Sequence, residues 1–255
     1  MNFIEKLESA HAQTWWLPES VLIHEGADHC FYHHSGRFNI VRFNPSADEL
    51  ESRLNEILEV VGSEPAQFTF LPHRHDEKLL GALKAAGFVS GQRHEARIIH
   101  VDNYARTPSE EIKVIMVETF DDMKRVYSVR NQAFGDTTTE SDEALRVFLK
   151  ASTGANARAR QFLAIDAHNG EPLSQAGMSL FPDLKFALLF AGATLPTARK
   201  RGAYTALVAA RVAHARSIGI EHVGLFARDD TSAPIVTRHG FEHCGEMQYW
   251  VFNGA

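Results

Sequence analysis

Three cations, Arg199, Lys200 and Arg201, stand directly before Gly202 in the stretch LPTARKRGAYTALVAARVAHA, Leu195 to Ala215. The residues that follow are small or apolar and read as a helix. Adjacent like charges repel, and the positive end of the helix dipole points at the same place, so the segment is unfavourable when empty. An anion relieves it. Unpaired backbone N–H groups at the helix start would face such a ligand, and glycine lets it approach closely. The segment therefore reads as an anion cradle on Arg199, Lys200, Arg201, Gly202, Ala203, Tyr204 and Thr205. Neither GxxxxGK[ST] nor a GxGxxG in a strand–helix–strand setting occurs, which argues against ATP and NAD as the anion.

The elements that must hold this cradle can be read on either side of it. Tyr204, Val208 and Val212 recur every fourth residue beside Leu207, and alanines fill 203, 206, 209, 210, 213 and 215, so the helix can lie close on a sheet. Arg216 and Gly219 suit its C-terminal end. Upstream, QFLAIDAHNGEPLSQAGMSLFPDLKFALLFAGATLP is apolar sequence broken by HNGEP and FPDLK, which predicts three antiparallel strands joined by hairpins. Before them come a strand over 112–118, a helix over 121–134 ending at Gly135, and a second helix capped by Ser141. After the cradle helix come a strand HVGLFAR, a short helix with Pro234 in its first turn, and a strand EMQYWVF. The order is βααβββαβαβ.

The polar segment NYARTPSEE, Asn103 to Glu111, separates this half from the first, giving expected domains 1–104 and 110–255. The first half holds a faint echo of the second. FTFLPHRHDEKLLGALKAAGF and HEARIIHV repeat the order strand, helix, Gly-Phe, strand, with Gly87-Phe88 corresponding to Gly240-Phe241. Its other helix, in PSADELESRLNEIL, opens on Asp48, Glu49 and Glu51 without a glycine, and those acids would repel a phosphate.

Composition narrows the function. The 255 residues are 44% hydrophobic and 23% charged, and no apolar run reaches the roughly 20 residues of a membrane span. The N-terminal MNFIEKLESAHAQTWW has acids and no signal-like apolar core, so a cytoplasmic, membrane-free protein is expected. A net charge of −6 argues against general nucleic-acid binding. Cys30 and Cys244 are expected as free thiols. His33-His34 and His73-Arg74-His75 lack a completing ligand set at zinc-like spacing, so no metal is expected. Trp15-Trp16 reads as packing.

From about Ile112 to Phe252 the chain resembles the Gcn5-related N-acetyltransferase (GNAT) family. That family's pyrophosphate loop, Arg/Gln-x-x-Gly-x-Gly/Ala after a strand often ending Val-x-Pro, is matched by Thr194-Leu195-Pro196 and Arg199-Lys200-Arg201-Gly202-Ala203-Tyr204. Asp230, Ser232, Ala233 and Gly240-Phe241 match its later strand and helix. The resemblance implies an α/β (α+β) fold with a mixed, mostly antiparallel central sheet flanked by helices, in two GNAT-like halves of which the first is degenerate. It implies acetyl-CoA as cosubstrate, its pyrophosphate on the cradle, its pantetheine arm along the backbone of Ala193, Thr194 and Leu195, and Asp230 near the coenzyme. Its activity would be direct acetyl transfer in a ternary complex to a primary amine on a small molecule or peptide, by a monomer or homodimer.

Two departures stand out. No tyrosine lies between Asp229 and His239, where the family's usual general acid sits, and FALLFAGATL carries no glutamate to act as a base through water. Tyr249 and Ser232 are the remaining polar candidates for catalysis. Positioning alone also accelerates amine attack in a ternary complex. Tyr204 replaces a small residue of the loop and is expected to pack into the sheet. The acidic stretch Asp136 to Glu143 reads either as an attractor for a cationic amine or as an ordinary loop. A non-catalytic acyl-CoA sensor is the alternative that the missing acid and base leave open, and aminoacyl transfer from charged tRNA is a third, disfavoured by the net charge.

Overall fold

Residues 2–15, 17, 21–34, 36–70, 77–135, 140–154 and 156–254 are described by the structure, a computed structural model. Trp16, His73, Arg74, His75 and Asp136 lie outside the described residues. The chain packs as two compact units, Met1–Ala96 with Ala227–Ala233 and His243–Ala255, and Arg97–Phe226 with Pro234–Glu242. Residues 227–233 and 243–255, which the sequence reading gives to the second half, thus group with the first. No local pattern in the chain signals that grouping, because it depends on where the last strand finds its partner.

The first unit contains α1 (Phe3–His11), β1 (Ile23–Glu25), β2 (His29–His34), β3 (Arg37–Phe43), α2 (Leu50–Val61), β4 (Ala66–Phe70), α3 (Glu77–Ala85), the start of β5 (Val89–His100) and most of β11 (Glu242–Phe252). Its strands run in the order β1-β2-β3-β4-β11. β3 is parallel to β4, and β11 is antiparallel to β4, with Phe252 opposite Ala66. Leu50, Leu54, Ile57 and Val61 recur on one face of α2 and meet Phe38, Ile40, Phe68 and Trp250 in the core.

The second unit contains β6 (Ile112–Met116), α4 (Phe120–Phe134), α5 (Asp142–Ser152), β7 (Ala159–Asp166), β8 (Pro172–Phe181), β9 (Phe186–Thr194), α6 (Ala203–Ser217), β10 (His222–Arg228) up to Phe226, and α7 (Ala233–Arg238) from Pro234. Along the chain, β6 through β11 follow the element order read from the sequence, with β11 falling in the first unit. β6 through β9 are antiparallel neighbours, and β10 runs parallel to β9, so the sheet is mixed and mostly antiparallel with helices flanking it. Local chemistry accounts for the helix ends. Thr119 Oγ1 accepts the Asp122 N–H at 3.1 Å, Ser141 Oγ accepts the Ala144 N–H at 3.2 Å, and Gly135 closes α4 in the left-handed region. Met123, Val126 and Val129 of α4 form a small core with Leu145 and Leu163.

One residue of α6 breaks its apolar pattern. Arg211 is fully buried, with Nε donating to the Leu207 carbonyl and an Nη to the Gly177 carbonyl, both at 3.0 Å. Its other Nη is buried without a hydrogen-bond partner. Burial pulls the guanidinium down to about 10. A cation in this setting retains a desolvation penalty that two neutral carbonyls offset only in part. Arg211→Met keeps most of the volume and removes that penalty. At pH 7 this variant is therefore expected to melt several degrees above wild type. Because the folded guanidinium binds its proton less tightly than the unfolded one, wild-type stability should rise with pH above about 10, and the variant should lose that slope. Thermal melts across alkaline pH check both; a lower melting temperature for the variant would show that the carbonyl contacts outweigh the penalty.

Candidate functional site

The site begins where two strands part. β9 and β10 pair in parallel from Phe186–His222 to Leu189–Leu225, yet β9 continues to Thr194. Beyond Leu189 the edge of β9 that faced β10 has no ladder partner among the described residues, while its opposite edge stays paired with β8 through Ala193 and Thr194. Phe190, Ala191 and Gly192 are exposed in mid-strand for this reason. A bulge falls at the same place. Gln175 faces Ala193 and Gly177 faces Phe190, so Ala176 alone opposes both Ala191 and Gly192. Ala191 takes φ +49°, a left-handed conformation that costs a residue with a side chain.

Past Thr194 the chain makes a short turn over Pro196–Ala198 and reaches the cradle. Lys200 has φ +65° and Gly202 φ +90°, so two left-handed residues aim the chain into α6. Gly202 caps the helix without any side chain, and its carbonyl accepts the first helical bond from Ala206 N–H at 2.9 Å. The N–H groups of Ala203, Tyr204 and Thr205 therefore have no partner within the helix. A Cβ built on Gly202 would meet nothing within 4 Å, so the turn is open on the side that a side chain here would take.

The three cations divide. Arg199 and Lys200 are exposed and hold no carboxylate among the described residues. Arg201, expected beside them on the anion, donates to Asp166 Oδ2 at 2.6 Å. That bond, with the His168 N–H on Oδ1 at 2.9 Å, holds the Asp166 carboxyl below its usual range. Thr205 Oγ1 lies 3.4 Å from His239 Nε2, whose Nδ1 lies 3.3 Å from the Tyr104 hydroxyl. Burial, with Arg106 and Arg238 close by, pushes the His239 pKa down.

Tyr204 packs into the sheet as expected. Its Cε2 lies 2.8 Å from where a Cβ on Gly192 would stand, so the ring occupies the room that this glycine leaves. The other predicted positions sit differently. Ala193 is buried, its carbonyl accepts Ser174 Oγ at 2.7 Å, and Leu195 N–H donates to Leu173 O at 3.0 Å. The Thr194 hydroxyl meets Ser174 Oγ at 2.8 Å. Asp230, Ser232 and Tyr249 belong to the first unit, whereas the cradle belongs to the second. Asp230 takes a two-pronged bond from Arg228, at 3.0 and 2.7 Å, which lowers its pKa. Ser232 Oγ accepts the Arg228 N–H at 2.9 Å, a turn contact before α7. Tyr249 faces Thr69 on β4, stands edge-on to His94, and is pushed up by burial. Sequence reasoning missed Ser174, Gln175 and Asp166. The first two left a readable signal, an adjacent polar pair inside an otherwise apolar strand.

No family model and no curated protein matches the sequence. Solved structures do. A GCN5-related N-acetyltransferase from Kribbella flavida superposes with a TM-score of 0.70 at 16% identity, over 100% of this chain and 97% of that one. The chain has the GCN5-related N-acetyltransferase fold. A tandem GNAT protein from the clavulanic acid biosynthesis pathway matches 98% of this chain and 94% of its own, at TM-score 0.61 and 11% identity. The C-terminal domain of a putative lysylphosphatidylglycerol synthetase from Agrobacterium fabrum matches 92% of this chain and 84% of its own, at TM-score 0.53 and 12% identity.

Within that fold one cavity among the described residues lies away from the cradle. It measures about 650 Å³ and lies in the first unit, between Trp15, Val41, Arg42, Phe43, Phe68 and Leu79. It opens where β3 and β4 stop pairing after Ile40 and Phe68, the same parting of parallel strands seen between β9 and β10. The helix after β3 nevertheless begins beside Asp48, Glu49 and Glu51, which disfavours a phosphate there. No helix among the described residues is long and apolar enough to cross a membrane.

The Arg201–Asp166 bond yields a pH prediction. A carboxyl whose folded pKa is depressed adds stability above the ordinary value of 3.8, and that stability is lost as pH falls through the folded value. Asp166→Asn should therefore melt below wild type at pH 7, with the gap closing as pH drops below 3.8. Chemical denaturation of both proteins across that range checks this; a gap independent of pH would remove the ion pair from the explanation.

Proposed function

We propose that the protein is an acyl-CoA-dependent N-acetyltransferase that moves an acetyl group from acetyl-CoA directly to a primary amine of a small molecule or peptide. The observation that carries this reading is the pairing of an open β9 edge with a cradle only a few residues downstream. An extended arm with amide groups can hydrogen-bond along the unpaired edge beyond Leu189, while a diphosphate meets the N–H groups of Ala203, Tyr204 and Thr205. Arg199 and Lys200, which hold no carboxylate among the described residues, would supply the counter-charge. Coenzyme A has both parts in that order. The acyl-CoA N-acyltransferase fold supports the same ligand, and the acidic start of α2 leaves the first unit as a degenerate copy.

The chain's own residues act mainly by placement. The open edge would fix the thioester, and the amine would attack its carbonyl carbon within the ternary complex, where orientation supplies much of the acceleration. The acetyl carbon–sulfur bond would then break, the sulfur leaving as the coenzyme thiolate and taking up, directly or through solvent, the proton that the amine loses. A tyrosine on α7 and a glutamate on β9, the usual proton carriers, are absent from APIVTR and FALLFAGAT. That absence favours a second reading, an acyl-CoA sensor that binds without turnover. Tyr249 and Ser232 stay the proposed proton-handling residues of the first reading, although Ser232 already accepts a backbone N–H.

Calorimetry separates these readings. Acetyl-CoA should bind wild type saturably. Gly202→Glu, which aims an acid into the open space and strains a φ of +90°, should abolish that binding. Thiol release with a panel of primary amines distinguishes transferase from sensor. Absence of acetyl-CoA binding to wild type would defeat both.

A further inference from the structure

Two polar side chains lie wholly inside β8, and each is turned toward β9. Ser174 is 0% exposed and Gln175 1%. Gln175 Nε2 donates to the Ala191 carbonyl at 2.7 Å, and Ser174 Oγ to the Ala193 carbonyl at 2.7 Å. Burying an amide in a sheet interior is costly unless it is bonded, so the partner tells what the amide is for. That partner is the one β9 residue in the left-handed region, at the centre of the bulge. An alanine does not hold φ +49° by preference. Without the Gln175 bond its carbonyl would lose that donor, and extended pairing with β8 would be the alternative.

The geometry points to Gln175 as a positioning residue, which holds the β9 bulge so that the strand's open edge is set to receive the pantetheine and thioester arm of an acyl-CoA. This rests on the acyl-CoA reading above. The side chain touches no ligand; it acts through Ala191. Its amide serves the bulge carbonyl, leaving the Phe190–Gly192 stretch exposed along the edge that β10 has abandoned. The cradle at Gly202 depends on other contacts, chiefly the left-handed turn at Lys200 and the Arg201–Asp166 bond. Arm and diphosphate should therefore respond separately to substitution.

The test compares two probes, acetyl-CoA and 3′-phosphoadenosine 5′-diphosphate, which keeps the diphosphate and lacks the arm, by calorimetry on the full chain. Gln175→Met keeps the side-chain length but cannot donate. It is expected to weaken acetyl-CoA by about tenfold and the nucleotide by less than roughly twofold. Ala191→Gly placed on top removes the cost of the left-handed conformation, and the double variant should recover most of the lost affinity. Unfilled space or general loosening at position 175 would not be relieved by a glycine at 191. Equal acetyl-CoA affinity in wild type and Gln175→Met overturns the proposal, as does a double variant no better than the single one. Failure of wild type to bind either probe overturns the acyl-CoA reading itself, and the proposal with it.

Discussion

The site depends on a sheet that stops pairing before its strand ends. Where β9 leaves β10 after Leu189, a row of backbone groups is left without the partners that a buried sheet normally requires. The fold tolerates this because the stretch is solvent-facing on that edge and is secured on the other by β8, directly and through Gln175 and Ser174. Gly192 admits the Tyr204 ring and Gly177 admits the Phe190 ring, so the two glycines allow side chains to close over the bulge where Cβ atoms would collide. The opening is thus built from polar and packing contacts on the closed side of the strand, not from residues at the gap.

The charges are arranged with the same economy. Three adjacent cations before a helix would be hard to hold still, and Asp166 fixes one of them at the end of β7. This leaves two cations in solvent and lends the turn a rigid anchor. A surface ion pair contributes little to stability in general, but Asp166 is buried and takes a backbone N–H besides, so this bond both stabilises and orients the turn. Thr205 Oγ1 in turn lies within hydrogen-bond reach of His239, whose pKa burial lowers.

Much of this was legible in the sequence, and the exceptions share one cause. The hairpin breaks HNGEP and FPDLK, the caps Thr119 and Ser141, and the small-residue face of α6 are local signals, and all of them correspond to elements in the structure. The cradle was readable because Gly202 and its cations are contiguous. Asp166 lies 35 residues from Arg201, and Gln175 lies 16 from Ala191, so neither partnership can be inferred from spacing within one element. Arg211 fell at a position where the helical pattern demands an apolar residue, and pattern reasoning had no reason to bury it there. The pairing of the last strand with β4 escaped for the same reason, being a contact between segments far apart in the chain.

The two units separate what geometry gives from what chemistry adds. In each, a parallel pair forms three or four rungs and then parts, β3 from β4 and β9 from β10. Each parted pair is connected through a helix, so the opening belongs to the strand–helix–strand arrangement itself. What differs is the start of that helix. α6 begins at a left-handed glycine behind Arg199 and Lys200, with three amides uncapped, whereas α2 begins at Glu49, in the right-handed region, with Asp48 and Glu51 on either side. The parting alone is therefore not enough to define a coenzyme site. The bulge contacts decide whether the open edge has a fixed shape, and the sign of the charge at the helix start decides whether an anion can anchor beside it.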